Sequence, residues 1–151
     1  MVEQDGSVLR TTESKSVMCG FGSYECSEEG RIFHWKLRVL EGDNDVNIGV
    51  IWSETAKKNR KQMWWLAEEG YSYWGLDGLK YHSDKYKKYG EEYGAGDEID
   101  VWLNLKKWNV SFAKNGNSYG KAFKVDKQHS YKLGVGFNGD HAVELLEFSI
   151  E

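Results

Sequence analysis

Glu98 and Asp100 stand two residues apart in Glu98-Ile99-Asp100-Val101. On an extended strand residues i and i+2 share a face, so both carboxyl groups point the same way. Paired carboxylates are the equipment of glycoside hydrolysis, whose retaining form needs a nucleophile and an acid ~5–5.5 Å apart. The turn Asp43-Asn44-Asp45 offers oxygens of the kind calcium takes, but such a site wants roughly six to eight of them. Gly42 and Val46 on either side contribute few. His34, His82, His129 and His141 show no metal-binding spacing, and Cys19 with Cys26 does not complete a zinc set. No serine sits in Gly-x-Ser-x-Gly, and no glycine-rich loop precedes a helix to cradle a phosphate. These residues imply no catalytic group, no metal and no cofactor.

Two segments point to binding instead. Lys57-Lys58-Asn59-Arg60-Lys61 is a basic run able to steer an acidic partner, an effect on association rate and salt dependence. Met63-Trp64-Trp65 follows at once. Adjacent residues of an extended segment face opposite ways, so at most one Trp enters the core. Met63 and Trp65 share the inward face, which leaves Trp64 outside as an anchor of the kind that dominates binding hot spots; packing of the pair under a loop is the other reading.

The elements that carry these residues read as short strands. Phe33, Trp35, Leu37 and Val39 alternate with His34, Lys36 and Arg38, the period of a half-buried strand. Val46, Ile48, Val50 and Trp52 alternate after the acidic turn, and residues 72–82 form a third run rich in Tyr and Trp. Ile99, Val101, Leu103 and Leu105 share one face, with Val110 and Phe112 following. Asn115-Gly116 tolerates the positive φ of a type I′ hairpin. Tyr131, Leu133, Val135 and Phe137 alternate next. In the final run, from Ala142 to Ile150, the inward set shifts from Val143 and Leu145 to Leu146, Phe148 and Ile150, the signature of a bulge. Residues 55–69 and 84–93 lack helical spacing and read as loops with room for one helical turn. Strands this short at this spacing predict an all-β, antiparallel two-sheet sandwich, with Trp35, Trp52, Val101 and Phe112 in its inter-sheet core.

Composition narrows the class. The chain has 151 residues, which suits one domain over 1–151. Seven Trp, nine Tyr and six Phe exclude a disordered chain. Twenty basic against 24 acidic residues give a net charge of −4, which argues against a nucleic-acid partner. No apolar run approaches the ~18 residues of a membrane span, and the polar start Met1-Val2-Glu3-Gln4-Asp5 does not read as a signal peptide. Two cysteines are too few for a disulfide scaffold; free thiols in the cytoplasm or nucleus are expected, with a local loop-closing disulfide as the other reading. The chain has 17 glycines and no proline, which leaves glycine and asparagine to make the turns.

At this point the residues resemble a known family. Phe33-His34-Trp35-Lys36-Leu37-Arg38-Val39, then Ile48-Gly49-Val50, is similar to the opening of the SPRY domain. Trp74-Gly75-Leu76-Asp77-Gly78 with Tyr81-His82 resembles the family's middle strand. Tyr89-Gly90-Glu91-Glu92-Tyr93 and Gly96-Asp97-Glu98-Ile99-Asp100-Val101 resemble the segment after it. Phe112 to Phe123, with Asn115-Gly116 and Gly120-Lys121-Ala122-Phe123, is similar to its hairpin. Tyr131-Lys132-Leu133-Gly134-Val135-Gly136 resembles its late strand, with Lys132 where the family has proline. The resemblance covers about residues 30–150 and leaves 1–30 as an N-terminal strand region with a weak match and no clear PRY segment. Asn138 stands where one peptide-binding subfamily has Trp, so that subfamily's specificity does not transfer.

The resemblance implies a bent sandwich of concanavalin A-like architecture and a non-catalytic module for protein–protein interaction, such as an adaptor or substrate-receiving domain. Its partner would be a protein or short peptide held by loops at one end; charge and hydropathy add the expectation of no nucleic acid and no membrane, and the oligomeric state stays open, with a monomer expected. The expected surface brings together residues 57–65, 86–89 and 138–141, with Lys58, Arg60, Trp64, Trp65, Tyr86, Tyr89, Asn138, Asp140 and His141 as its contacts. A carbohydrate-binding, lectin-like module on the same architecture is the alternative. Glu98-Ile99-Asp100 also resembles the core of a jelly-roll glycoside hydrolase family, but Trp102 and Leu103 stand where that family has its second Glu, which implies no hydrolysis.

Overall fold

The computed structural model describes residues 2–5, 8–11, 17–22, 24–58 and 64–151. Among the described residues two antiparallel sheets face each other. The first contains seven strands: β1 (Val2–Asp5), β2 (Val8–Thr11), β4 (Ile32–Glu41), β9 (Glu98–Asn104), β10 (Asn109–Lys114), β11 (Asn117–Lys124) and β13 (Ala142–Ile150), in the order β1-β2-β13-β4-β9-β10-β11. The second contains six: β3 (Val17–Phe21), β5 (Val46–Trp52), β6 (Gly70–Trp74), β7 (Leu79–His82), β8 (Lys85–Lys88) and β12 (Tyr131–Asn138), in the order β3-β12-β5-β6-β7-β8. A short helix α1 (Ser53–Lys58) and a 3₁₀ turn (Trp64–Leu66) lie between β5 and β6.

Alternation decides which side chains fill the space between the sheets. On β4, Phe33, Trp35, Leu37 and Val39 are buried while the residues between them are partly exposed. Ile99, Val101 and Leu103 of β9 and Val110 and Phe112 of β10 meet them in one cluster with Tyr71, Tyr73, Leu133, Val135 and Phe137 from the second sheet. Trp52, expected in that core, is only partly buried: it ends β5 and stacks on His129 at 3.5 Å between ring centroids.

The slip in the last strand is a bulge. Leu145 pairs with Leu37 but Glu147 pairs with Lys36, so Leu146 is the extra residue. The bulge returns Phe148 and Ile150 to the core side, opposite Trp35 and Phe33. The Asn115-Gly116 hairpin has φ of 49° and 84°, the double positive φ of a type I′ turn.

Two expectations need correction. Residues 72–82 are not one strand, because Gly75 to Gly78 turn the chain between β6 and β7. Residues 84–93 are not a loop throughout, because β8 pairs with β7. Ser83 and Asp84 both take positive φ, 55° and 58°, and close that hairpin without a glycine. Lys85-Tyr86-Lys87-Lys88 is exposed at every position, so no alternation in the sequence marks it as a strand.

Candidate functional site

Several connections converge where β5 begins. Asp43, in the β4–β5 turn, accepts hydrogen bonds on Oδ1 from the Asp45 backbone N–H at 2.8 Å and from His141 Nε2 at 2.9 Å. The Asp45 N–H bond above all, assisted by His141, holds the Asp43 carboxyl below the usual carboxylate range. Asp45 ties three elements together. Its Oδ1 accepts from Trp74 Nε1 at 2.9 Å, its Oδ2 from Asn138 Nδ2 at 3.1 Å, and its carbonyl from the Asn138 N–H at 3.3 Å. Gly42 has φ of +102°, and a Cβ there would stand 2.3 Å from the His141 ring. Glycine is therefore what lets the turn close over a buried histidine, which also stacks on Phe137 at 5.5 Å.

Around this fixed lattice Asp43, Asn138, Asp140 and Leu76 are exposed, Leu76 by 42 %. Beyond it an aromatic row crosses the outer face of the second sheet. Tyr71 and Tyr73 of β6 face the core, so Trp74 faces outward. Trp74 meets Tyr81 at 5.1 Å, and Tyr81 meets Tyr86 at 5.7 Å. Tyr81 donates its O–H to Asp77. Tyr86 is 69 % exposed.

Of the expected stretch 57–65, Lys57 lies away from this end. β5 pairs Val46 with Phe137 at one end and Trp52 with Tyr131 at the other. Six residues at ~3.4 Å each separate them, so the chain leaves β5 some 20 Å from Asn138. There Lys57 pairs with Glu25 at 2.8 Å, and Glu54 meets His129. The side chain of Lys58 and the whole of Arg60 lie outside the described residues.

The chain then folds back over the outer face of the second sheet, where it lays both tryptophans down. Trp64 is fully buried and Trp65 is 4 % exposed, so Trp64 is not an outward anchor. The extended geometry assumed for them is absent: they open a 3₁₀ turn and meet edge to face at 5.9 Å. The sheet makes room with glycines, since a Cβ on Gly134 would stand 2.8 Å from Trp64 and one on Gly136 2.2 Å from Trp65. Both rings therefore pack with Ile51 in a second, smaller core. Gly134-x-Gly136 was the signal available in the sequence.

The remaining candidates have structural work. Tyr89 is only partly exposed. Its hydroxyl donates to the Gly120 carbonyl at 2.5 Å and accepts from the Phe112 N–H at 3.0 Å. Burial pushes its pKa up to about 12. Glu98 accepts from Arg38 at 2.8 Å, and Asp100 meets His34 at 2.6 Å. His34 stacks on Trp102 at 4.7 Å. These cross-strand partners occupy both carboxylates on the outer face of the first sheet. Among the described residues no group of three or more His, Cys, Asp or Glu could hold a metal ion, and no helix is long and apolar enough to cross a membrane. Cys26 is a free, buried thiol.

Comparison with known proteins agrees with this architecture. The chain is 36 % identical over 124 residues to a probable ATP-dependent RNA helicase, ddx1, of Dictyostelium discoideum, an alignment over 82 % of this chain and 15 % of that protein. It is 36 % identical over 97 residues to heterogeneous nuclear ribonucleoprotein U-like protein 2 of Mus musculus, over 61 % of this chain and 12 % of that protein. The chain thus spans a small fraction of these relatives' length. Among solved structures, the SPRY domain of human HERC1 superposes with a TM-score of 0.79 at 20 % identity, covering 94 % of this chain and 89 % of that one. A second human SPRY domain gives 0.72 at 18 %, covering 95 % and 93 %. The SPRY domain profile matches residues 32–145, more than two thirds of the sequence and all the strands from β4 to β12, and on that ground the chain belongs to the SPRY domain family.

Proposed function

We propose that this domain recognises a short peptide or a surface of a partner protein at the loop end built on Asp45. SPRY domains are generally protein-interaction modules. The observation that carries the reading is the lattice in which Asp45 fixes Trp74 and Asn138. A site ordered before its ligand arrives loses less entropy on binding. Asn138, Asp140 and Asp43 present hydrogen-bonding groups to a peptide main chain, and Leu76 presents apolar surface. His141 acts from beneath by holding Asp43. The aromatic row carries the surface outward to Tyr86, and Tyr89 ties the chain beyond β8 to Phe112 and Gly120. Lys58 and Arg60 steer an acidic partner through their field. The domain works without catalysis, cofactor or nucleic-acid contact of its own, as an adaptor or substrate-receiving module in an intracellular, monomeric setting.

The test is selection from a displayed library of random peptides, followed by NMR mapping of a selected peptide. Shifts concentrated at residues 42–45, 74–78 and 138–141, with binding weakened about tenfold, ~1.4 kcal/mol, by Leu76→Asp or Asn138→Ala, are the expected result. Shifts confined to other surfaces refute the location. Saturable binding on a glycan array in place of peptide selection would establish the lectin-like alternative.

A further inference from the structure

Six lysines gather along the open side of the sandwich, where the edge strands β8 and β11 come together. Lys85, Lys87 and Lys88 stand on β8, Lys80 on the neighbouring β7, and Lys121 and Lys124 on β11. The two sheets are tied beside these edges, because Lys80 Nζ of β7 donates to the Ala122 carbonyl of β11 at 2.5 Å while its charge lies over the Phe123 ring at 5.0 Å. The Lys80 pKa is lowered by burial first and then by the charges of Lys87 and Lys121, so these three cations share one field. Among the described residues none of the six lysines has a carboxylate within salt-bridge distance. In a chain of net charge −4 this is a segregated positive strip.

The strip coincides with an open hydrogen-bonding edge. β8 ends its sheet, and among the described residues no strand pairs with its far side. Its two faces differ. Lys85 and Lys87 pair with His82 and Lys80, whose side chains pack against Phe123 between the sheets. Tyr86 pairs with Tyr81 on the outer face. A chain added beside β8 would therefore meet Lys85 and Lys87 on one face and the exposed Tyr86, followed by Lys88, on the other, at alternate residues.

We propose that β8 is a docking edge for an extended acidic peptide that adds to the sheet as a further strand. Its acidic residues fall at every second position, beside Lys85, Lys87, Lys80 and Lys121. Its apolar residues fall between them, beside Tyr86. Main-chain hydrogen bonds supply affinity and the alternate side chains supply specificity. The same lysines repel a second copy of this edge, which keeps the strand from self-pairing and leaves an acidic strand as the compatible occupant. An RNA strand could use the charge but has no use for the row of main-chain N–H and C=O groups.

The experiment is fluorescence anisotropy on the intact protein with fluorescein-labelled Glu-Val-Glu-Phe-Glu-Val-Glu. The comparisons are an isomer with its acidic residues in one block, two copies N-methylated at the odd or at the even amides, and a labelled oligouridine RNA. The alternating peptide should bind saturably, and only one of the two methylated copies should lose binding, because only one edge of an added strand pairs with β8. Lys87→Glu combined with Lys121→Glu should weaken binding about tenfold or more with an unchanged circular dichroism spectrum, whereas Leu76→Asp should leave it unaltered, which separates this edge from the loop end. Equal binding of the block isomer, equal behaviour of both methylated copies, tighter binding of the RNA, or no binding at millimolar peptide would each overturn the proposal.

Discussion

Replacing Gly136 by alanine should lift Trp65 from the sheet it covers. The new Cβ would stand 2.2 Å from Trp65 Cζ3 and 2.6 Å from Cε3. Ordinary carbon contacts lie at ~3.5–4.0 Å, so the ring must retreat by roughly 1.3 Å or more. It cannot do so alone, because its neighbour at 5.9 Å is Trp64, which itself lies on Gly134. Overpacking of this kind costs ~1–3 kcal/mol. Removing a glycine from the unfolded chain returns ~0.4–1 kcal/mol, so the net effect is destabilising. At roughly 2–4 °C per kcal/mol for a chain of this size, Tm should fall by several degrees. Urea denaturation of a double-mutant cycle with Trp65→Ala provides the assay. Trp65→Ala alone should cost ~3–5 kcal/mol, but in that background Gly136→Ala should be neutral or stabilising by up to ~1 kcal/mol, giving a coupling of ~1–3 kcal/mol. The fluorine resonance of 5-fluorotryptophan at position 65, assigned with Trp65→Phe, should move in Gly136→Ala. Equal cost in both backgrounds with an unmoved resonance would refute the packing of Trp65 on Gly136.

Phe112→Ala should cost ~3–5 kcal/mol by denaturant midpoint, because its ring is fully buried among Tyr73, Tyr89 and the strands of both sheets; a loss below ~1 kcal/mol would mean that β10 is out of register. Asp43 has a lowered pKa in the folded state, so it favours folding above the ordinary carboxylate pKa, and that contribution disappears as pH falls through the folded value. Carboxyl NMR should show Asp43 titrating below the ordinary aspartate value, and His141→Leu should keep most of the depression, since the Asp45 N–H is the larger cause. Burial raises the Cys26 thiol pKa, so in a Cys19→Ser background a disulfide reagent should modify Cys26 only after unfolding; rapid reaction in buffer would contradict its burial.

Much of the sandwich is legible because its strands are buried on one face and alternate. The inward residues of β4, β9 and β12 can be read straight from the chain, and the Leu146 bulge shows as a slip of phase. β8 is illegible for the opposite reason: Lys85 to Lys88 bury nothing, and their strand exists because β7 offers an edge. The fates of Trp64 and Trp65 are set about 70 residues away, by glycines on β12 that leave a shallow bed for two large rings. β5 carries a hint of this cover, since Val46 to Ile51 are buried on both faces, whereas a strand with one wet face would show polar residues at Gly49 and Ile51. The candidate surface divides because register, which the local pattern does not encode, assigns Trp52 and Asn138 to opposite ends. Asn138 and His141 keep company with Asp43 and Asp45, a pairing across almost 100 residues that turn composition alone cannot show.

The position of β13 between β2 and β4 bears on how the chain is made. β4 pairs along nearly its whole length with β13 and β9, and about 100 residues separate the end of β4 from the start of β13. At translation rates of ~5–20 residues per second, β4 waits some 5–20 s on the ribosome for the strand that completes its sheet. During that wait its apolar row of Phe33, Trp35, Leu37 and Val39 has no finished layer to enter. Most pairings of both sheets are likewise distant in sequence, which slows folding. Ribosome-bound chains that stop before residue 142 should therefore recruit holding chaperones and remain sensitive to protease, and protection should arrive abruptly once Ile150 has cleared the exit tunnel.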